Sequence, residues 1–98
     1  MVDTIEIAGK DYPVRFTLGA LAKFERKTKV NAFALSDPST LSSEAAGYLV
    51  WFGMQAGAKA EGVELDVEFM DVLDDLTLAH VMRAFELLVQ DVPGEKKA

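Results

Sequence analysis

A chain of 98 residues has room for one hydrophobic core, and an apolar content of 50% sets it apart from disordered sequences, which are poorer in apolar residues. The absence of cysteine excludes a disulfide scaffold and a thiolate zinc site, and it suits a cytosolic protein. With 16 acidic groups against 10 basic ones, a net charge of −6, the chain is a poor match for phosphate backbones. No apolar run approaches the roughly 18–20 residues that cross a bilayer, and Met1-Val2-Asp3-Thr4 does not read as a signal peptide.

Thr4-Ile5-Glu6-Ile7 and Tyr12-Pro13-Val14-Arg15-Phe16 alternate apolar and polar side chains, which predicts two half-buried strands. Ala8-Gly9-Lys10-Asp11 between them is short enough for a hairpin, with Gly9 free to take a positive φ. Ile5, Ile7, Tyr12, Val14 and Phe16 would share the inner face. Pro13 has no amide proton, so the second strand is expected to turn an edge to solvent there. A lone hairpin is marginal in water and needs helices to cover it.

Thr17 is a suitable N-cap for a helix over about 18–27, with Leu18, Leu21, Ala22 and Phe24 or Glu25 at helical spacing. Arg26, Lys27 and Lys29 crowd its carbonyl end, where the helix dipole favours cations. Asn31 to Thr40 reads as a connection, with Ser36-Asp37-Pro38-Ser39-Thr40 as turn chemistry and Phe33 and Leu35 expected to tuck it onto the core.

A second helix is predicted from Ser42 or Ser43 over about 43–58, with Gly62 as its stop. Its middle, Tyr48-Leu49-Val50-Trp51-Phe52-Gly53-Met54, is apolar on nearly every face, as in helices buried within a fold or covered by a partner. Gly47, Gly53 and Gly57 weaken it by about 1 kcal/mol each relative to Ala, and they let another backbone approach closely. Asp66 is expected to cap a short third helix over 67–73, with Phe69, Met70, Val72 and Leu73 as its apolar set and Asp74-Asp75 breaking it. Thr77 then caps the clearest element, 78–90, in which Leu78, Val81, Met82, Phe85, Leu88 and Val89 form an amphipathic stripe. Pro93-Gly94 ends it. The fold class is therefore α+β and predominantly helical: an N-terminal β-hairpin (4–16) packed on a bundle of about four helices in one domain over 1–93, with a mobile tail over 94–98.

Charge is unevenly placed. Residues 1–60 carry seven basic and six acidic groups, a net of +1, whereas residues 61–98 carry three basic and ten acidic groups, a net of −7. Glu61, Glu64, Asp66, Glu68, Asp71, Asp74 and Asp75 follow one another without a cation. Such a run is either a solvated face that keeps a small protein soluble or a steering surface for a basic partner.

Catalytic patterns are not found. His80 is the sole histidine and sits at the edge of the apolar stripe, with no second His or Cys to complete a metal or nucleophile set. Asp66 to Asp71 lacks the alternating ligands, central Gly and terminal Glu of a calcium loop. Asp74 and Asp75 are adjacent, which suits a turn better than an acid–base pair across a cleft. Ser36, Ser39, Ser42 and Ser43 have no activating base motif, and the glycines form no phosphate cradle. No enzyme, metal or cofactor is expected. What remains is a rich supply of Trp51, Phe52, Tyr48, Met54, Met70, Met82 and Phe85: most are expected in the core, and an apolar patch left over would mark a protein-binding site.

The run Ile5-Glu6-Ile7-Ala8-Gly9-Lys10-Asp11-Tyr12-Pro13-Val14-Arg15-Phe16-Thr17-Leu18-Gly19-Ala20-Leu21, followed by Phe24-Glu25, resembles the opening of the tail assembly chaperones of long-tailed bacteriophages and prophages. The later outline is similar too: a loop with Asp-Pro-Ser, an apolar helix with a Trp, an acidic short helix, an amphipathic helix and a polar tail. The resemblance implies a non-enzymatic protein of the host bacterial cytoplasm, absent from the mature virion, that binds the tape-measure protein and helps recruit tail-tube subunits. It also implies a longer frameshifted form, with which Glu95-Lys96-Lys97 is compatible. On this reading Trp51, Phe52, Met54, Met82 and Phe85 supply an apolar client groove, and Asp71, Asp74 and Asp75 steer basic client segments. Self-association through the same apolar face stays open. Other classes stay open as well: a structural virion protein such as a head–tail connector or tail component, and an acidic regulator of a DNA-binding enzyme.

Overall fold

A computed structural model describes residues 3–35 and 40–91. The expected turn at 36–39, the Pro93-Gly94 stop and the tail over 94–98 lie outside these residues. The architecture is α+β and predominantly helical: a two-stranded antiparallel hairpin, β1 (Asp3–Ile7) and β2 (Lys10–Val14), precedes α1 (Leu18–Thr28), a 3-10 turn (Ala32–Ala34), α2 (Ser43–Glu61), α3 (Phe69–Asp75) and α4 (Leu78–Asp91).

The hairpin turns more tightly than expected. Ile7 pairs with Lys10, so only Ala8 and Gly9 connect the strands, at φ 54° and 83°. Positive φ at both central positions is the turn that matches the right-handed strand twist. Ile5, Ile7, Val14 and Phe16 are buried and Tyr12 is half-buried, as the alternation predicts.

The edge of β2 does not face solvent at Pro13. It runs against α2, where the Arg15 amide donates to the Gly53 carbonyl at 3.0 Å. Gly57 lies against the Pro13 carbonyl so closely that a methyl group there would overlap it, and Gly53 lies under the Phe16 ring and Val14. Proline at this point sacrifices no ladder bond, and the two glycines remove the Cβ atoms that would hold strand and helix apart.

Local capping sets most helix ends. Thr17 Oγ1 accepts from the Ala20 amide at 3.1 Å and Ser42 Oγ from the Ala45 amide at 3.1 Å, so both helices start where the hydroxyls predict. Gly62 ends α2 at φ 70°, with the Val63 amide donating back to the Ala58 carbonyl at 3.0 Å. At α4 the Thr77 amide donates to His80 Nδ1 at 2.9 Å. The imidazole thus takes the place of the Glu or Gln of a capping box, which gives the sole histidine a structural part.

Further expectations are corrected. α3 begins two residues late, capped in position by Glu68 without a side-chain bond, while Asp66 meets Lys10 at 3.7 Å across an exposed pair. Asp74 and Asp75 form the last turn of α3 rather than breaking it. In the connection after α1, Leu35 packs on the core as expected, but Phe33 does not: the buried Ala32, whose amide donates to the Glu25 carboxylate at 2.9 Å, takes its place and Phe33 is 58% exposed. On α1 itself Ala20, Leu21 and Phe24 face inward, whereas Leu18 and Ala22 face out.

α2 is the centre of the fold and packs on β2, α1, α4 and α3. That explains its all-round apolar composition: Leu49, Val50 and Met54 are fully buried beside Phe24, Val14 and Leu87 in one continuous core. No helix among the described residues is long and apolar enough to cross a membrane.

Candidate partner-binding surface

α3 is only seven residues long and rests on α2 through two side chains one turn apart. Leu73 occupies the space left by the missing side chain of Gly47. Phe69 stacks on Tyr48, with ring centroids 4.1 Å apart and planes 8° apart, and meets Trp51 edge-on at 5.9 Å. A short helix held along one face leaves its other face unpartnered, and Met70 is accordingly 61% exposed.

This placement opens an apolar groove between the first turns of α2, the outer side of α3 and the start of α4. Its volume is about 580 Å³, and Met70, Leu73, Leu76, Leu78 and Val81 line it opposite Leu41 and Gly47. Leu78, in the first turn of α4, is 69% exposed at the rim. Glu44 is the charged residue in the lining, beside the hydroxyls of Ser42, Ser43 and Thr77. Asp71, Asp74 and Asp75 are exposed on α3 but do not line the groove. Among the described residues no polar or charged side chain is buried, and no group of three or more His, Asp or Glu is placed to hold a metal ion. The lining therefore offers apolar contact with a few hydroxyls at its edge.

The residues expected to form the partner surface divide. Met54 is fully buried and Phe85 only 9% exposed, because α2 is central and α4 turns Phe85 toward it; neither presents a surface to a partner. Trp51 and Phe52 are half-buried in the aromatic stack and do not line the groove. Met82 is 52% exposed on α4, one turn beyond Leu78, and continues the same stripe toward Val89. Asp71 and Asp75 border a separate crevice of about 50 Å³ with Ile7, Ala8 and Tyr12 at the hairpin turn. The groove itself is made by Leu73 and Leu78, which the sequence assigns to the apolar faces of their helices, together with Met70, one of the side chains from which a leftover patch is expected. A signal was present: a seven-residue helix with four apolar residues cannot bury all of them against one neighbour.

A second feature lies on the α1 side of the stack. Lys27 Nζ sits 5.3 Å from the centroid of Tyr48, and Lys23, Arg26 and Lys27 surround an open depression beside Phe52. Compared with protein-family models, curated proteins and solved structures, the chain finds no match in any of the three.

Proposed function

We propose that the protein is a non-enzymatic assembly chaperone of a bacteriophage or prophage tail, which holds helical segments of the tape-measure protein in the groove between α2, α3 and α4 and helps recruit tail-tube subunits. The observation that carries the client-binding part is the groove, open and apolar, with Glu44 in its lining and Met70 and Leu78 largely exposed at its rim. An amphipathic helix laid into such a groove buries its apolar side chains at i, i+3 and i+4 while a cation at its edge meets Glu44. Methionine at the rim adapts to different client side chains, because its unbranched thioether has many low-energy shapes. The resemblance of the N-terminal third, and of the later outline, to tail assembly chaperones supplies the identity of the client. It also supplies the setting, the host cytoplasm before the virion is complete.

The test is co-production with a candidate tape-measure protein. The wild-type chain is expected to keep the client soluble and to co-purify with it. Met70→Glu and Leu78→Glu alter exposed side chains, so the fold is retained. Burial of a Leu or Met side chain contributes about 1.5–3 kcal/mol, so each variant should weaken client binding by about tenfold or more. Unchanged binding by both variants would refute the groove. Recovery of the chain from purified, finished particles would favour a structural virion protein instead.

A further inference from the structure

An open depression of about 270 Å³ lies between α1 and α2, lined by Lys23, Arg26, Lys27 and Phe52. All three cations are exposed, and Phe52 is half-buried, stacked on Tyr48 at 5.8 Å. The helix dipole accounts for Arg26 and Lys27, which stand in the last turn of α1, but not for Lys23 one turn earlier. Nor does an acid within the chain account for them. Glu25, the only carboxylate of α1, lies on the opposite side of the helix and accepts from the Ala32 amide at 2.9 Å. Glu44 lines a separate polar crevice with Lys27 and Tyr48, where Lys27 Nζ lies 5.3 Å from the Tyr48 centroid. Among the described residues none of the three cations forms an ion pair, although the chain as a whole carries a net charge of −6.

The chemistry of this lining selects its occupant. Three cations with no acid among them match carboxylates, and the open side of the Phe52 ring matches an apolar side chain beside those carboxylates. A small inorganic anion would use the cations and leave the ring in water. A nucleic-acid backbone is held by more cations than three, and a chain of net charge −6 repels a long polyanion. We propose that the depression docks an acidic segment of a partner protein, with two or three carboxylates on Lys23, Arg26 and Lys27 and one aromatic or large aliphatic anchor on Phe52. Arg26 can hold a carboxylate with both arms of its guanidinium. Lys23 and Arg26 carry most of the contact, because Lys27 shares its charge with Glu44. The depression and the groove have no lining residue in common, so an acidic partner and a client helix can be held together. The proposal stands whether or not the groove binds a client.

The probe is the peptide Glu-Glu-Phe-Glu-Glu, blocked at both ends, titrated at low salt into the isotope-labelled full chain and followed by NMR. Saturable binding is expected, with the largest shift changes at Lys23, Arg26, Lys27 and Phe52. Raising the salt to about 0.5 M should weaken it about tenfold, since the contacts are exposed and screened. Glu-Glu-Ala-Glu-Glu should bind about fivefold more weakly, because nothing then covers the Phe52 ring. Lys23→Glu with Arg26→Glu turns two small attractions into repulsions and should weaken binding by about tenfold or more, with an unchanged far-UV spectrum. Met70→Glu, at the rim of the groove, should bind the peptide like wild type, so failure of this site and failure of the groove are read separately. No saturable binding, binding that survives the double reversal, or shift changes centred on the groove would each overturn the proposal. A short oligothymidylate that displaces the peptide from the same residues would overturn it in favour of a phosphate site. Concentration-dependent shifts at those residues in the free chain would overturn it in favour of a second copy.

Discussion

Gly57→Ala sets helix propensity against a backbone contact. In the interior of α2, alanine is favoured over glycine by about 1 kcal/mol. At this position, however, the added methyl would overlap the Pro13 carbonyl, and it is backbone on both sides that must yield. Overpacking of this kind costs about 1–3 kcal/mol, and moving β2 outward also endangers the Arg15 amide bond to the Gly53 carbonyl, about 0.5–1.5 kcal/mol. The net expectation is a loss of about 1–3 kcal/mol, or roughly 5–20 °C in Tm for a domain of this size. Gly19→Ala is the matched control. It makes the same change in the first turn of α1, where the nearest heavy atom to the new methyl would be Thr17 Oγ1 at 3.7 Å, an ordinary contact. There the substitution should stabilise by about 0.5–1 kcal/mol. Urea unfolding followed by far-UV circular dichroism measures both. If Gly57→Ala were as stable as Gly19→Ala, β2 would not lie against α2, and the reasoning about Pro13, Gly53 and Gly57 would fail with it.

Two further predictions concern a helix end and the redistribution of the methionines. His80→Ala removes the acceptor for the Thr77 amide and should cost about 0.5–1 kcal/mol by thermal melting, whereas His80→Glu restores an acceptor and should be near neutral. Met54→Ala should destabilise by about 2–5 kcal/mol because the side chain is fully buried. Met82→Ala, half exposed, should stay within about 0.5 kcal/mol of wild type in urea unfolding.

Much of the fold follows from short-range chemistry and is legible residue by residue. Thr17, Ser42 and Gly62 end their helices where hydroxyl capping and a left-handed glycine place them, and the period-2 pattern of Ile5, Ile7, Val14 and Phe16 assigns the inner face of the hairpin. What was not legible depends on contacts between distant segments. Met54 and Trp51 read alike as apolar residues in one helix, yet only the arrangement of β2, α1 and α4 around α2 decides that Met54 is enclosed and Trp51 half open. Phe33 reads as an anchor, but the Glu25 carboxylate fixes the backbone at Ala32 and turns Phe33 outward. The groove is the extreme case. It exists because Gly47 admits Leu73 and Tyr48 stacks on Phe69, two pairings more than twenty residues apart in the chain, and no local pattern specifies where a seven-residue helix will dock. The acidic run was visible at once. That Asp66, Asp71 and Asp75 gather at the hairpin rather than along the groove was not.

The central claim is that a client helix lies in the groove between α2, α3 and α4. An NMR titration of the isotope-labelled chain with a helical peptide from a candidate tape-measure protein tests it most directly. The account predicts that the largest shift changes fall on Met70, Leu73, Leu76, Leu78 and Val81, and that Met70→Glu abolishes them. Saturable binding whose shift changes centre on other residues and leave these five unmoved would contradict it.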